Sequence, residues 1–260
     1  MISSSSNAKV KQVNQLKKKG KARREKGVFL VEGIKMVEEA YEYGIVEAYV
    51  AESAEQELMR THRDLLTKLT YELVADKVFH EMSDTITPQG IMAIVKMPSY
   101  DLSTILNADH AHVMVLEDLR DPGNLGTILR SGEGAGVTGV ILTKESVDVF
   151  NPKVIRSTMG SVFRVPFCYV EDLQEVIGQM KEKGITLYAA HLKGTANYEA
   201  FDYTKPSAFL IGNEANGLTD ETSATADCLV KIPMAGKVES LNAAMAASIL
   251  MFEVARQRRN

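Results

Sequence analysis

The second half of the chain carries six short apolar runs. They are HVMVLED (112–118), TGVIL (138–142), FCYV (167–170), ITLYAAH (185–191), SAFLIG (207–212) and CLVKI (228–232), set between helical segments and polar loops. Runs this short, with little polar alternation, read as strands buried on both faces. Strands separated by helices pair mostly in parallel, because a parallel pair needs a long crossover. A smaller set of the same kind fills residues 1–97: VFLV (28–31), IVEAYVA (45–51), YELV (71–74) and GIMAIVKM (90–97). Helices are predicted among them at 6–19, 32–43, 53–69 and 75–83. The expectation is an α/β protein of two units, 1–97 and 111–260, joined by a linker at 98–110 that opens on a Pro-Ser-Tyr-Asp turn. Further helices are predicted at 124–133, at 171–183 and from Ser240 to about Arg258. The last carries Leu241, Met245, Ile249 and Phe252 along one face.

Composition removes several classes. With 45% hydrophobic and 25% charged residues the chain is neither disordered nor collagen-like. No apolar run approaches the roughly 18–20 residues of a membrane helix, and MISSSSNAKVKQ lacks the apolar block of a secretory signal. Cys168 and Cys228 lie in apolar contexts, cannot build a disulfide framework, and read as buried thiols in a reducing cytoplasm. The net charge of −4 is unevenly spread: residues 1–27 hold nine Lys/Arg and a single acid, Glu25. A basic arm on an acidic body points to a polyanion partner, with a solvated mobile helix as the alternative on charge alone. Within that arm Gly20 to Gly27 reads as a basic loop.

Common catalytic patterns fail on inspection. Gly134-Ala-Gly136-Val-Thr-Gly139 fits the dinucleotide pattern GxGxxG, but it closes a helix and leads into a strand, the reverse of the required order. Gly134 and Gly136 read instead as helix-terminating residues. His62, His80, His110, His112 and His191 are scattered without metal-ligand spacing and read as structural or surface residues, so no metal is expected. No Ser occupies a Gly-x-Ser-x-Gly elbow.

Three segments place Gly, Asn or charge just after a strand of the second unit, where open α/β sheets bind ligands. The first runs from Glu117 to Arg130; in it Asn124 is placed to cap a helix, Gly126 allows close backbone approach, and Arg130 lies away from the Leu125–Ile128–Leu129 side. The second runs from Leu210 to Leu218 and contains Gly212, Glu214 and Gly217. The third runs from Ile232 to Asn242 and contains Pro233, Met234, Gly236, Ser240 and Leu241. Each alone has a plain reading: a solvated Arg130, a surface-turn Glu214, an N-capping Ser240.

In this order and spacing the three resemble the motifs of the SpoU/TrmH family of RNA ribose 2′-O-methyltransferases, in the SPOUT superfamily. Asn124, Gly126 and Arg130 match Asn-x-Gly-x-x-x-Arg. Gly212, Glu214, Gly217 and Leu218 match Gly-x-Glu-x-x-Gly-Leu. Ile232 to Asn242 matches Ile-Pro-Met-x-Gly…Ser-Leu-Asn, after which this chain has Ala243 and Ala244 where many members have Val-Ser. The resemblance covers about 111–258. Less specifically, Phe29-Leu-Val-Glu-Gly33 resembles the ribosomal-protein-like domain with which members grip RNA.

The resemblance implies a SPOUT domain at 111–260 with a trefoil knot and an RNA substrate-binding domain at 1–97. It implies S-adenosyl-L-methionine as cofactor, held by Leu210, Gly212, Gly217, Ile232, Met234, Gly236 and Leu241. It assigns catalysis to Arg130, Asn124, Glu214, Ser240 and Asn242, and RNA phosphate contacts to Lys17, Lys18, Lys19, Lys21, Arg23 and Arg24. It also implies a cytoplasmic homodimer whose site draws on both chains, with part of the last helix as interface. Large-subunit rRNA is the implied substrate; tRNA, or a non-catalytic RNA-binding assembly role, is the alternative.

Overall fold

A computed structural model describes residues 1–194 and 196–259, and its chain divides into two compact units. The first comprises Met1–Pro98 and Asp148–Phe163, the second Ser99–Val147 and Arg164–Asn260. The first unit opens with α1 (Ala8–Lys18), which buries Val10, Val13 and Leu16 and is capped by Asn7 accepting from Lys9 N. The expected basic loop is a second helix, α2 (Gly20–Lys26), ended by Gly27 at φ +63°. Good helix formers (Lys, Ala, Arg, Glu) fill that stretch, and propensity overrode the two flanking glycines. Then follow β1 (Val28–Glu32), α3 (Ile34–Ala40), β2 (Ile45–Ala51), α4 (Glu55–Thr61), α5 (Arg63–Lys68), β3 (Tyr71–Val74), α6 (Asp76–Met82) and β4 (Ile91–Lys96). The helix expected over 53–69 is broken at His62. The sheet order is β1-β4-β2-β3, with β4 antiparallel to both neighbours and β2 parallel to β3. Ile2 extends its edge: Ile2 N donates to Leu73 O at 2.7 Å and Ala75 N to Ile2 O at 2.9 Å.

The expected linker 98–110 contains α7 (Leu102–Leu106), whose Ile105 and Leu106 enter the core of the second unit. A Cβ at Gly139 would sit 2.4 Å from Ile105 Cγ2, so a bare residue there lets α7 seat. Next come β5 (His112–Leu116), α8 (Pro122–Ala135) and β6 (Gly139–Thr143). The segment expected to continue the second domain instead returns to the first unit with α9 (Pro152–Thr158), where Phe150 and Phe163 lie 4.9 and 5.8 Å from Phe29 between ring centroids. Burying these apolar side chains against the first sheet outweighs their place in sequence. The second unit resumes with β7 (Phe167–Val170), α10 (Leu173–Glu182), β8 (Thr186–Ala190), β9 (Ala196–Asn197), β10 (Ser207–Ile211), α11 (Asp220–Thr225), β11 (Cys228–Lys231) and α12 (Ala243–Arg258).

This second sheet has the order β7-β6-β5-β10-β8-β11-β9, and every pairing is parallel. From β5 the chain steps outward through β6 and β7, then crosses to build the other side. The direction of winding therefore reverses beside β5 and β10, whose residues are all buried. Loops leaving the carboxyl ends of strands part at such a point and open a crevice.

Helix ends differ from expectation in three places. Asp121, not Asn124, caps α8: its Oδ1 accepts from Asn124 N at 2.8 Å, and Pro122 occupies the first helical turn. Gly136 ends α8 at φ +74°, whereas Gly134 stays inside the helix. Asn242, not Ser240, caps α12, accepting from Ala244 N and Met245 N at 2.9 and 3.3 Å. The buried side of α12 is Ala244, Ala247, Leu250, Met251 and Val254, while Met245 and Phe252 of the expected apolar face are 55% and 48% exposed. Cys168 and Cys228 are free and half-buried. Among the described residues no helix is long and apolar enough to cross a membrane, and no cluster of three His, Cys, Asp or Glu could hold a metal.

Candidate functional site

The crevice is built from β5 outward. Glu117, at the end of β5, is buried, and its carboxylate accepts from Thr219 N (2.8 Å), Thr219 Oγ1 (2.9 Å) and Thr222 Oγ1. A buried charge is tolerated only when so satisfied. These bonds tie the loop after β10 to β5. Asp118 follows in the left-handed region at φ +53°, and its carbonyl accepts from Asn213 Nδ2 at 2.7 Å. The loop closes on itself: Asn213 N donates to Gly217 O at 3.0 Å, and Gly217 N to Asn213 O at 2.9 Å. Gly212 makes this closure possible. A Cβ there would lie 2.1 Å from Gly217 C and Leu218 N.

Closing the loop projects Glu214 toward α8. Its carboxylate accepts from Asp121 N (2.9 Å), Arg120 N (3.1 Å) and Asn124 Nδ2 (3.0 Å). Desolvation pushes the Glu214 pKa up. The donors from Asn124, Arg120, Asp121 and its own backbone outweigh that and hold it below the ordinary carboxylate value. Asn124 Oδ1 in turn accepts from Asn242 Nδ2 at 2.8 Å. One chain of hydrogen bonds, Asn242–Asn124–Glu214, thus joins segments separated by 118 and 90 residues. All three were expected site residues.

Beside this chain lies a cavity of about 690 Å³. Of the residues singled out in the sequence, Gly212, Glu214, Gly217, Ile232, Met234, Ser240 and Leu241 line it. Leu210 does not. It lies in the core cluster with Val115 and Ala189, because β10 is covered on both faces and only its exit at Ile211–Gly212 reaches the crevice. Gly236 is exposed, is not part of the lining, and has open space where a Cβ would go. A smaller space of about 360 Å³ adjoins the same loop, lined by Glu117, Asp118, Arg120 and Thr219 among others.

One wall was not anticipated. The turn after β8 contributes His191, Leu192 and Lys193, and β9 contributes Asn197. His191 N donates to Val230 O and its Nδ1 accepts from Lys193 N, both at 3.0 Å, and a Cβ at Gly194 would meet Val230 C at 2.8 Å. His191 and Lys193, at and just after the end of the strand-like run 185–191, were the available signal, since the other site loops occupy the equivalent position after their strands.

Arg130 stands apart. It is exposed on α8, does not line the cavity, and makes no hydrogen bond or ion pair among the described residues. Six residues of helix advance it about 9 Å from Asn124 and turn it by roughly 240°. Of the expected RNA contacts, Lys18, Lys19, Lys21 and Arg24 are exposed. Arg23 is withdrawn from that set: it is 4% exposed, donates to Leu16 O at 2.6 Å and pairs with Asp148 at 2.6 Å. Lys17 is also engaged, donating to Glu81 O and Ser83 O at 2.9 and 2.8 Å.

The family model described as SpoU rRNA Methylase matches residues 111–252, and that of the MRM3-like substrate binding domain matches residues 7–93. The chain is 33% identical to the 23S rRNA (guanosine(2553)-2′-O)-methyltransferase RlmP of Bacillus subtilis, over 97% of this chain and 98% of that protein. It is 32% identical to the 23S rRNA (uridine(2479)-2′-O)-methyltransferase of Streptomyces viridochromogenes, over 98% and 91%. Among solved structures it resembles the SpoU methyltransferase AviRb of Streptomyces viridochromogenes in complex with the cofactor AdoMet (TM-score 0.87, 32% identity, covering 98% and 99% of the two chains). The AdoMet-bound rRNA methyltransferase of Sinorhizobium meliloti is equally similar (TM-score 0.87, 32% identity, covering 98% and 97%).

Proposed function

The chain belongs to the SpoU rRNA methylase family, and from that premise we propose how its residues serve the transfer of a methyl group from S-adenosylmethionine to a ribose 2′-hydroxyl of ribosomal RNA. The observation that carries the reading is the Asn242–Asn124–Glu214 chain, which draws three distant loops around one cavity.

The cavity suits the donor. Its volume falls within the roughly 300–1,000 Å³ of small-molecule sites. Its walls combine apolar Ile232, Met234 and Leu241 with the bare backbone of Gly212 and Gly217, where a nucleoside can lie against main-chain groups. When bound, S-adenosylmethionine would supply an electrophilic methyl on a sulfonium, from which the neutral thioether of S-adenosylhomocysteine is a good leaving group. The protein then has two tasks: aligning the attacking oxygen, and accommodating its developing charge. Asn124 and Glu214 hold the loops in register, and Ser240 and Asn242 border the reacting end. Arg130 holds the RNA phosphate and the 2′-oxygen. A guanidinium holds its proton too tightly to act as a base, so the proton passes to a phosphate or to water.

Arg130 and the cavity do not meet within one chain, and α12 leaves Met245 and Phe252 exposed. Both facts support a homodimer in which the partner subunit's Arg130 completes the site. Trefoil threading of the segment after β10 belongs to the same reading. The first unit serves as the RNA-gripping domain, with Lys18, Lys19, Lys21 and Arg24 on phosphates, and the enzyme works in the cytoplasm, where ribosomal RNA is its substrate.

The test is methyl transfer to protein-free 23S rRNA, with the modified ribose mapped. Arg130→Ala should lower transfer at least about 100-fold while calorimetric affinity for S-adenosylhomocysteine stays within about threefold, a difference under ~1 kcal/mol. Near-wild-type transfer by Arg130→Ala would remove the assigned role. Failure of the wild-type protein to bind S-adenosylhomocysteine would overturn the whole reading.

A further inference from the structure

Between α6 and β4 the loop 83–89 holds one apolar side chain out in water. Ile86 is 93% exposed, more than any other large apolar residue described. Both feet of the loop are tied. The Glu32 carboxylate accepts from Ser83 Oγ, from Asp84 N at 3.0 Å and from Thr85 Oγ1 at 2.8 Å. Lys17 Nζ donates to Ser83 O, and Arg156 Nη1 to Asp84 Oδ2 at 2.6 Å. At the far foot, Gln89 Oε1 accepts from Ile34 N at 2.9 Å.

A single exposed apolar residue is ordinary. One carried on a loop fixed at both ends is preorganised, and binding against it forfeits little loop entropy. The fold gains almost nothing from Ile86, since the ties are all polar and lie on either side of it. The acids at the loop's feet, Glu32 and Asp84, are occupied in holding it.

Lys17 also joins this loop to the end of α1, where Lys18 and Lys19 follow it, exposed. Cations and an apolar tip therefore share one end of the first unit. Single-stranded nucleic acid suits that combination: cations track phosphates without reading sequence, and an exposed apolar side chain gains by covering the apolar face of an unpaired base. We propose that loop 83–89 is the base-contacting element of the substrate unit, with Ile86 packing against an unpaired base of the RNA whose phosphates the neighbouring lysines hold. This rests on the reading that the first unit grips RNA.

The experiment compares the full-length protein with Ile86→Ala, Ile86→Asp and a Lys18→Glu/Lys19→Glu pair. The probes are protein-free 23S rRNA, a fully paired RNA duplex and intact ribosomal particles, the two RNAs titrated over a salt series. An exposed position keeps the folding consequence small, and unchanged S-adenosylhomocysteine affinity checks it. Ile86→Ala should weaken 23S rRNA binding about fivefold, a loss of ~1 kcal/mol, and leave duplex binding and the salt slope unchanged; Ile86→Asp should weaken it about tenfold or more, because its carboxylate also repels the phosphates. The lysine pair should weaken both probes and flatten the salt slope by about two charges' worth. Wild-type 23S rRNA binding by Ile86→Asp overturns the assignment. So does an effect of Ile86→Asp confined to intact ribosomal particles, which would mark a protein contact instead. If neither the lysine pair nor Ile86→Asp alters RNA binding, the substrate-unit reading itself fails.

Discussion

Replacing Gly212 with Ala tests the site geometry most directly. The new Cβ would lie 2.1 Å from Gly217 C and Leu218 N and 2.4 Å from Gly217 O. All three are backbone atoms, so no rotamer change relieves the clash. Ordinary contact begins at 3.4 Å, so the two segments must part by about 1.3 Å. That separation breaks the reciprocal Asn213–Gly217 hydrogen bonds and displaces Glu214 from Arg120 N and Asp121 N. At roughly 0.5–1.5 kcal/mol for each bond, discounted for the exposed loop, the loss is about 2–4 kcal/mol. For a unit of this size that lowers Tm by roughly 5–10 °C. A misplacement near 1 Å costs on the order of 100-fold in turnover, and donor affinity should fall at least about tenfold. Scanning calorimetry and titration with S-adenosylhomocysteine read both effects. Gly236→Ala is the matched control, since a Cβ there meets nothing within 4 Å; it should change stability by less than about 0.5 kcal/mol. If Gly212→Ala melts and binds like wild type, the close approach of the two backbone segments is refuted.

Other outcomes follow from the same contacts. Asn242→Ala removes the α12 cap and the bond to Asn124, and should lower stability by about 1–3 kcal/mol in a thermal melt. Phe150→Ala, at a residue within the stretch matched to the methylase family, should destabilise the first unit by about 3–5 kcal/mol. Lost hydrogen-exchange protection in Val28–Glu32 with unchanged donor affinity would show it, whereas loss confined to the second unit would contradict the assignment of that segment. The Glu214 pKa is depressed in the folded state, so its contribution is complete above the unfolded value of roughly 4.3 and disappears as pH falls through the folded value. The Tm difference between wild type and Glu214→Gln should therefore hold steady from pH 7 to about 5 and shrink below about 4. A difference that grows on acidification would mean the carboxylate is not held by these donors.

Local sequence was enough for much of this molecule. Apolar runs with helices between them placed β2, β3 and β7 to the residue, and in the second unit the unbroken apolar runs of the fully buried β5 and β10 implied a parallel sheet. The three segments carrying Asn124, Glu214 and Asn242 each had a plain structural reading alone, and only their joint order and spacing, which resembles the SpoU/TrmH motifs, marked them out. Tertiary contact decided the rest. Arg23 looked like its basic neighbours until Asp148, 125 residues away, paired with it. The stretch 148–163 looked like the second domain until Phe29 offered Phe150 and Phe163 a core. Leu210 and Leu241 are alike in composition, yet one is sealed between strands and the other faces the cavity. Periodicity tells which residues seek burial; what they are buried against depends on partners a hundred residues distant, and no local pattern contains that information.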